Sequence, residues 1–421
     1  MVISISPNPM LLTAQKAYEA FLNLGSLSGV ERSRAVRAIA KRVEQSQNEI
    51  LEANTLDLEI SREMMVSEQI LRWLKLTPQR LENTLELLKK LAQSSDPLQK
   101  VIDTPYQLNP SQTYCQRMPL GVVALIYETF PELAIIAAGL CLKTGNSLIL
   151  RGCATSSQAN QVITNLLQTA LEDIGLPTNS ILSCSPDDGS TIQDLVTLDQ
   201  YVNLIIPYGR PNLTSQVGQL ATAPVLKAAM GNCYLYWSST GDVELTREII
   251  LDSHESIPDP VNAIEKVLIS TNHNPKFLVR LLNSLQEKGF RLRGDETLVQ
   301  DFPEHLSLAV ESEWNKPYLD KTIAFKRVLD LEQGIRWINH HSSSHADCII
   351  TESYRESRKF AMELDSALIY INSSPRFSRN PKQGESVFFG ISNQKGQRRG
   401  LISLETFTTI KQVIQGCLLY T

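Results

Sequence analysis

The amino-acid sequence predicts an α/β protein in which two parallel-sheet domains follow an N-terminal helical region. The chain has 421 residues, more than one hydrophobic core usually holds. From residue 120 onward, short apolar runs alternate with longer stretches of helical periodicity, which is the pattern of βαβ units. A second series of this kind begins near residue 240, so we expect two α/β units in series.

The region from residue 11 to about 95 is predicted to be helical, with almost no strand signal. Apolar residues recur at helical spacing in LLTAQKAYEAFLNL, AVRAIAKRVEQSQNEILEAN and LENTLELLKKLAQ. The segment ERSRAVRAIAKR is basic. We interpret it as the solvated face of a helix, and contact with an anion is the alternative.

The first α/β unit is predicted from five apolar runs that are separated by helical segments. The strands are expected at GVVALIYE, SLILRG, SILSCS, VNLIIPYG and NCYLYWS. The second unit is predicted from the strands AIEKVLIS, HADCIIT and SALIYINS and from helices such as KFLVRLLNSLQEKG. Because ligands bind beyond the carboxyl ends of strands in such sheets, the loops of interest follow Glu128, Arg151, Pro207, Ser270, Thr351 and Asn372.

The predicted domain boundaries follow from these two series. We expect a helical and cofactor-type α/β domain at 1–238, a catalytic-type α/β domain at 239–375 and a C-terminal segment at 376–421. The C-terminal segment is a candidate for oligomerisation. In an alternative arrangement, its last strand returns to the other domain.

Composition excludes several classes of protein. A net charge of −5 and a pI near 5.8 argue against binding to nucleic acid, which requires a basic face. No apolar run approaches the roughly 18 residues of a membrane helix, and we expect no secretion signal. The seven cysteines are scattered and form no CxxC pair, which favours reduced thiols in the cytoplasm over disulfides or a zinc site.

Two groups of residues are candidates for catalysis or metal binding because of their position or spacing in the sequence. Cys153 lies just beyond a predicted strand, where a helix N-terminus can activate a thiol, although small cysteines are often inert. His341 and His345 are four residues apart, a spacing that can hold zinc on a helix. A third ligand is not evident, a polar turn explains the run as well, and we predict no metal site.

The segment PRFSRNPKQGESVFFGISNQKGQRRG is locally basic, with six lysines and arginines around Glu385. Such a segment can recognise a carboxylate or a phosphate, and the alternative is a solvated loop. The predicted anion-binding residues here and in the preceding strand are Asn372, Arg376, Arg398 and Arg399. The fingerprint GxGxxG and the P-loop pattern are both absent.

Several longer stretches resemble a known family. They are ANTLDLE, LTPQRLE, PLGVVALIYE, LCLKTGNSLILRG, LDSALIYINSSPRF and VLDLEQGIRWINHHSSSHADCI, the last of which departs from the family signature at Gly334, Trp337 and Ala346. On these stretches the chain resembles the γ-glutamyl phosphate reductases (glutamate-5-semialdehyde dehydrogenases) of the aldehyde dehydrogenase superfamily. The resemblance runs almost from end to end.

The resemblance implies a fold of two Rossmann-like domains with an oligomerisation segment. It also implies an oxidoreductase of proline biosynthesis that reduces L-glutamate 5-phosphate with NADPH to glutamate 5-semialdehyde. In this family a cysteine thiolate attacks the acyl phosphate, hydride transfer resolves the thioester, and an asparagine with a backbone N–H stabilises the oxyanion. Arg151, Gly152, Pro207 and Gly209 are the positions expected to contact the cofactor.

The chain departs from the family at the positions that carry the chemistry. The family's Pro-Ser-Thr-Cys-Asn stretch aligns without a gap with 258–262, so Val261 takes the position of the nucleophile and Asn262 follows it. The family's Arg-Pro-Asn reads Phe130, Pro131 and Glu132, which places a carboxylate where the oxyanion donor is expected.

Three further departures concern cofactor and substrate loops. The Lys-Glu that follows the family's Arg-Gly-Gly turn, expected to help hold the nucleotide, has become Cys153, Ala154, Thr155 and Ser156. The second glycine of a pair has become Arg210, and a Gly-rich loop ending in Ala-Glu aligns with Val387 and Phe388. We therefore predict a degenerate, non-catalytic pseudoenzyme with impaired binding of NADPH. The alternatives are an active enzyme that uses another thiol and a repurposed protein that binds a small anion. The resemblance implies a homo-oligomer, or a hetero-oligomer with an active homologue.

Overall fold

The computed structural model describes residues 9–103, 112–185, 189–255, 261–394 and 399–416. These residues form two compact units. Unit one contains the described residues up to Ala228, the segment Arg379–Gly390 and the residues from Leu401 onward. Unit two contains Ala229–Ser378 and the described residues of Ile391–Gly400.

Five helices open unit one and confirm the prediction of a helical N-terminal region. They are α1 (Pro9–Leu24), α2 (Gly29–Gln45), α3 (Gln47–Glu63), α4 (Glu68–Leu74) and α5 (Pro78–Gln93). Helix α2 begins at a capping box in which Ser28 and Glu31 satisfy each other's backbone N–H groups. Helix α5 begins at Pro78 behind a Thr77 cap, because proline needs no hydrogen-bond partner for a backbone N–H in the first turn.

The α/β part of unit one carries the first predicted series of strands and helices. Its elements are β1 (Val101–Asp103), β2 (Gln112–Pro119), β3 (Val122–Tyr127), α6 (Glu132–Lys143), β4 (Ser147–Arg151), α7 (Ser157–Glu172), β5 (Ile181–Ser183), α8 (Ile192–Val196), β6 (Val202–Gly209), α9 (Pro211–Leu220) and β7 (Ala228–Ala229). The sheet order is β5-β4-β3-β6-β7, and β3 pairs in parallel with β4 and β6. The carboxyl ends of these three strands therefore lie at one edge.

Unit two is a seven-stranded sheet of order β11-β10-β12-β9-β8-β13-β14. Its elements are β8 (Cys233–Trp237), α10 (Val243–Ser253), β9 (Ile264–Ser270), α11 (Pro275–Glu287), β10 (Arg291–Gly294), α12 (Glu296–Asp301), β11 (Ser307–Leu308), β12 (Thr322–Val328), α13 (Leu331–His341), β13 (Ala346–Ile350), α14 (Tyr354–Glu363) and β14 (Leu368–Ile371). All of its strand pairs are parallel, as the sequence predicts.

The C-terminal part of the chain adds β15 (Gly390–Ser392), β16 (Gly400–Ile402) and β17 (Thr408–Gln415). Strand β17 pairs antiparallel with β2, and β1 completes a three-stranded sheet in unit one. Among the described helices, none has both the length and the apolar character that a membrane crossing requires.

The units divide the chain differently from the predicted domains. The first predicted domain ends at 238, but β8 pairs with β9 and β13 and so belongs to unit two. The predicted C-terminal segment, 376–421, is shared between the two units. The unit to which a strand belongs depends on its pairing with strands that are distant in the sequence. The local hydrophobic pattern contains no information about that pairing.

Candidate active site

The turn before β9 holds Val261 and Asn262, at the position aligned with the family's nucleophile. Val261 is buried, with 2% of its surface exposed, and its carbonyl accepts the backbone N–H of Gly231 at 3.0 Å. The Asn262 amide donates to the carbonyl of Pro375 at 2.9 Å, and its Oδ1 is buried without a hydrogen-bond partner. In the described part of this turn, Val261 and Asn262 therefore present a buried aliphatic side chain and a hydrogen-bonded amide, while Pro258, Asp259 and Pro260 lie outside the described residues.

The described cysteines of unit two are Cys233 and Cys348, and both are buried. Cys233 on β8 and Cys348 on β13 are buried in the core between the sheet and its helices. Burial, with Cys348 beside it, raises the pKa of the Cys233 thiol well above its usual value. A buried protonated thiol is a poor nucleophile, so Cys233 is a poor candidate for thiolate chemistry.

Glu132, the first residue of α6, is held in a buried ion pair. Its Oε1 accepts from Nε of Arg80 at 3.1 Å, and both side chains are 5% exposed. Arg80 lies on α5 and also donates to the carbonyl of Trp73 at 3.0 Å. The carboxylate at the predicted oxyanion position is therefore neutralised by a guanidinium, so it does not stand there as an unpaired negative charge.

Aromatic rings fill the surroundings of Phe130, which stands where the family has an arginine. Phe130 stacks on Trp73 with ring centroids 5.8 Å apart and meets the edge of Tyr208 at 6.2 Å. Tyr208 continues the row to Phe389 at 5.4 Å, and Phe389 meets Phe407 at 6.5 Å. All five rings are buried, so this part of unit one is an apolar core.

The loop after β4 carries Arg151, Gly152 and Cys153. Arg151 is buried, and its guanidinium donates to the hydroxyl and the carbonyl of Ser190 at 3.1 and 2.7 Å. Gly152 lies against the side chain of Asn160, which a Cβ at this position would meet at 2.0 Å. The Cys153 thiol is half-buried and lies 3.0 Å from the hydroxyl of Thr155.

The loop after β6 carries Gly209 and Arg210 and is closed by Glu128. Pro207 lies within β6, opposite Ile126. Gly209 adopts a φ of +155°, and a Cβ there would meet Oε2 of Glu128 at 2.9 Å. The same oxygen accepts the backbone N–H of Arg210 at 3.2 Å and its Nε at 3.0 Å. The hydrogen bond to Glu128 raises the pKa of the Arg210 guanidinium.

Three of the four residues predicted to bind an anion are described in the structure, and all three have an internal partner. Arg376 pairs with Asp252 at 3.1 Å and Glu255 at 3.5 Å, and Arg399 pairs with Asp365 at 2.7 Å. Asn372 bridges strand ends by exchanging two hydrogen bonds with the backbone of Thr351. Arg398 and Lys395 lie outside the described residues. The C-terminal segment was predicted to be positively charged because the acidic partners of its arginines, Asp252, Glu255 and Asp365, lie elsewhere in the sequence.

His341 and His345, whose spacing can hold zinc on a helix, do not lie on one helix. His341 ends α13, where it stacks on Trp337 with ring centroids 3.8 Å apart, and His345 precedes β13 beside the Ser343 hydroxyl. Burial lowers the pKa of His341. Within the described ranges, no group of three or more His, Cys, Asp or Glu side chains is arranged to hold a metal ion.

Two ion-pairing residues were not identified from the sequence. Arg80 pairs with Glu132 at the start of α6, and Glu128 pairs with Arg210 after β6. Arg80 lies within LTPQRLE. The cap of helix α5 can be predicted from this stretch, but the residue that pairs with Arg80 is 52 positions further along the chain. Glu128 does stand at the carboxyl end of β3, where polar side chains meet ligands, and this position was the available signal.

Comparison with known proteins adds family relationships to this geometry. A model of the aldehyde dehydrogenase family matches residues 10–233. γ-Glutamyl phosphate reductase 2 of Synechocystis sp. is 59% identical over 400 residues, 95% of each chain. The crystal structure of γ-glutamyl phosphate reductase from Thermotoga maritima superposes with a TM-score of 0.88 at 30% identity, over 98% of this chain and 100% of that chain.

A more distant structure shares the fold alone. Betaine aldehyde dehydrogenase from Staphylococcus aureus, solved in complex with NAD⁺, gives a TM-score of 0.68 at 14% identity and covers 98% of this chain and 89% of that chain. The aldehyde-dehydrogenase-like fold predicted from the sequence is thereby confirmed.

Proposed function

The chain belongs to the aldehyde dehydrogenase family, and from this membership we propose that it is a γ-glutamyl phosphate reductase homologue without the covalent step. The identity of 59% to a γ-glutamyl phosphate reductase over nearly the whole chain supports the kinship. The observation that carries the loss of chemistry is Val261, buried in the turn where the family has its nucleophilic cysteine.

The expected size of the defect follows from the chemistry of acyl transfer. A valine side chain has no lone pair, so it can neither attack an acyl phosphate nor hold a thioester. Removal of a covalent nucleophile costs on the order of a million-fold in rate. Lack of one oxyanion donor, as at Glu132, costs roughly a hundred- to a thousand-fold where the chemistry survives.

The proposal includes weak binding of NADPH, the family's hydride donor. A phosphate at the head of α9 would meet the Glu128 carboxylate, which already accepts the Arg210 backbone N–H. The first helical residue, Pro211, has no N–H to offer. Both features argue against a fit between this loop and a dinucleotide phosphate, so no reaction step is assigned to the cofactor here.

The experiment that tests the proposal is a turnover assay of the full chain. Purified protein is incubated with glutamate 5-semialdehyde, phosphate and NADP⁺, and NADPH formation is followed beside an active γ-glutamyl phosphate reductase. We expect no NADPH above background from this chain. Turnover that a thiol-blocking reagent abolishes would contradict the proposal.

Turnover through Cys153 is the second candidate, because that thiol is half-buried and lies at the carboxyl end of β4. It belongs to unit one, whereas the aligned nucleophile position belongs to unit two. Cys153→Ser separates the candidates, since only an enzyme that uses this thiol would lose activity. If neither variant nor wild type turns over, binding of phosphate or glutamate tests a repurposed anion-binding role.

Assembly and location complete the proposal. The kinship to the reductases supports a homo-oligomer, or a hetero-oligomer with an active homologue, in which this chain has a regulatory role. The six described cysteines are all free thiols, which supports a location in the reducing cytoplasm.

A further inference from the structure

Helix α3 presents a stripe of large apolar side chains to solvent. Leu56, Ile60 and Met64 follow one another at a spacing of four residues and are 51%, 46% and 68% exposed. Met65 extends the stripe and is 91% exposed. Isolated exposed apolar residues are ordinary, but three at a spacing of four residues, with a fourth directly after them, form the pattern of an interaction site. We call these four residues the α3 stripe.

The backbone at the end of the stripe provides a second observation. Met65 has a φ of 55°, in the left-handed region that favours glycine after a helix. A bulky side chain in this conformation is disfavoured, and its exposure to water adds a second cost. A residue that combines both features is expected where a side chain is kept for a contact with another molecule.

The charges around the stripe are acidic. Glu49, Glu52, Glu59 and Glu63 lie on the same face of α3, and all four are exposed. The described structure shows no ion pair for any of them. A stripe of this composition fits a helix that presents positive charges on long aliphatic stems, because lysine and arginine can cover apolar surface with their methylene groups.

Helix α2 of this same chain carries such a face. Arg34, Arg37 and Lys41 recur at helical spacing, are exposed and form no ion pair within the described residues, and the exposed Val30 extends their row. The row spans roughly 16 Å at 1.5 Å per residue, and the α3 stripe spans roughly 14 Å. The basic segment noted in the sequence thus has the length and the charge to complement the stripe.

Helices α2 and α3 are consecutive in the chain and both pack on α7, so their outer faces belong to one layer of unit one. We propose that this layer is a self-association surface, on which α2 of one copy docks against the α3 stripe of a second copy and the reverse contact forms about a twofold axis. Each dimer then makes the same complementary contact twice. A pairing of α3 with α3 would instead oppose eight glutamates. This inference rests on the homo-oligomer of the proposed function and gives it a surface, but it does not depend on the loss of the covalent step.

Sedimentation velocity on the full chain tests the surface. The stripe variant Ile60→Glu/Met64→Glu is expected to sediment with half the mass of the wild type at micromolar concentration. Leu22→Glu on α1 and Met362→Glu on α14 replace apolar residues that are 57% and 76% exposed and are expected to sediment like the wild type. Equal masses of the wild type and the stripe variant would overturn the proposal.

Charge reversal identifies the occupant of the stripe. Arg34→Glu/Arg37→Glu/Lys41→Glu makes both faces acidic, and Glu52→Lys/Glu59→Lys/Glu63→Lys makes both basic, so each triple variant alone is expected to lose the association. An equimolar mixture should recover it, because both contacts of a mixed dimer are again complementary. Failure of the mixture to associate would overturn docking by a second copy, even if each variant is folded by circular dichroism.

Discussion

The Arg80 guanidinium and the Glu132 carboxylate form a buried ion pair between α5 and the first turn of α6, with Nε and Oε1 3.1 Å apart. The pair lies where the family resemblance places an oxyanion donor. A buried carboxylate with a single partner of opposite charge holds that partner in place, and the second oxygen of Glu132 has no hydrogen-bond partner. The pair therefore has a structural role, and its integrity is testable.

Glu132→Ala is expected to lower the free energy of unfolding by about 3–5 kcal/mol, because it leaves the Arg80 charge buried and unpaired. Urea denaturation measures this change. The control is Glu44→Ala, which breaks the exposed pair with Lys89 and should cost less than about 1 kcal/mol. A change at Glu132 no larger than the control would contradict the structural role of the pair.

Val261→Cys is expected to restore little reductase turnover, although it supplies the missing thiol. The new side chain would be buried as Val261 is, and the oxyanion position would still hold Glu132. We expect kcat to stay roughly a hundred- to a thousand-fold below that of an active reductase. The assay compares Val261→Cys with Val261→Ser, which has similar size but no thiolate, and full activity of the cysteine variant would show that the other departures are harmless.

The double variant Arg210→Gly/Glu128→Gln is expected to strengthen NADPH binding by roughly tenfold or more, since it removes a side chain that crowds the head of α9 and the carboxylate that a phosphate would meet there. Isothermal titration calorimetry with NADPH measures the affinity without any need for turnover. Arg280→Gly removes another exposed, paired arginine and serves as the control. Equal affinities for the wild type and the double variant would show that this loop does not limit binding.

Asp347 predicts a pH dependence of stability. Burial raises its pKa to about 6, although hydrogen bonds from Ser366, the Tyr234 backbone and Ser342 oppose the shift. The folded state therefore binds this proton more tightly than the unfolded chain, in which the pKa is about 4. Stability from this group is complete below pH 4 and is lost as pH rises to about 6, by roughly 2–3 kcal/mol.

Thermal denaturation between pH 4 and pH 7 measures this slope. Asp347→Asn should reduce it, and Asp199→Asn on the exposed surface should leave the wild-type profile unchanged. Burial also raises the pKa of Asp57 to about 6, so part of the slope is expected to remain in the Asp347 variant. A profile of Asp347→Asn that coincides with the wild type would contradict the assignment.

The local pattern was sufficient to predict most elements of both sheets. Strands such as Val122–Tyr127 and Ile264–Ser270 are apolar runs between turn residues, and α11 is strongly amphipathic. Strand β2 was not predicted, and its partner β17 was expected only as a last strand that returns to the other domain, because both strands alternate polar and apolar residues weakly and acquire their stability from each other. Strand pairing over nearly three hundred residues leaves no periodic signal in either strand.

The sequence by itself determined the family and the parallel α/β fold, because periodicity and residue type are local properties. It also predicts that Val261 takes the position of the nucleophilic cysteine. Only the tertiary structure decided that Arg80 neutralises Glu132, that Glu128 closes the loop at Arg210 and that Arg376 is paired with Asp252. It also assigned β8 to unit two. Each of these outcomes depends on which distant residues lie within a few ångströms of one another, because charge and hydrogen-bond energies fall steeply with distance.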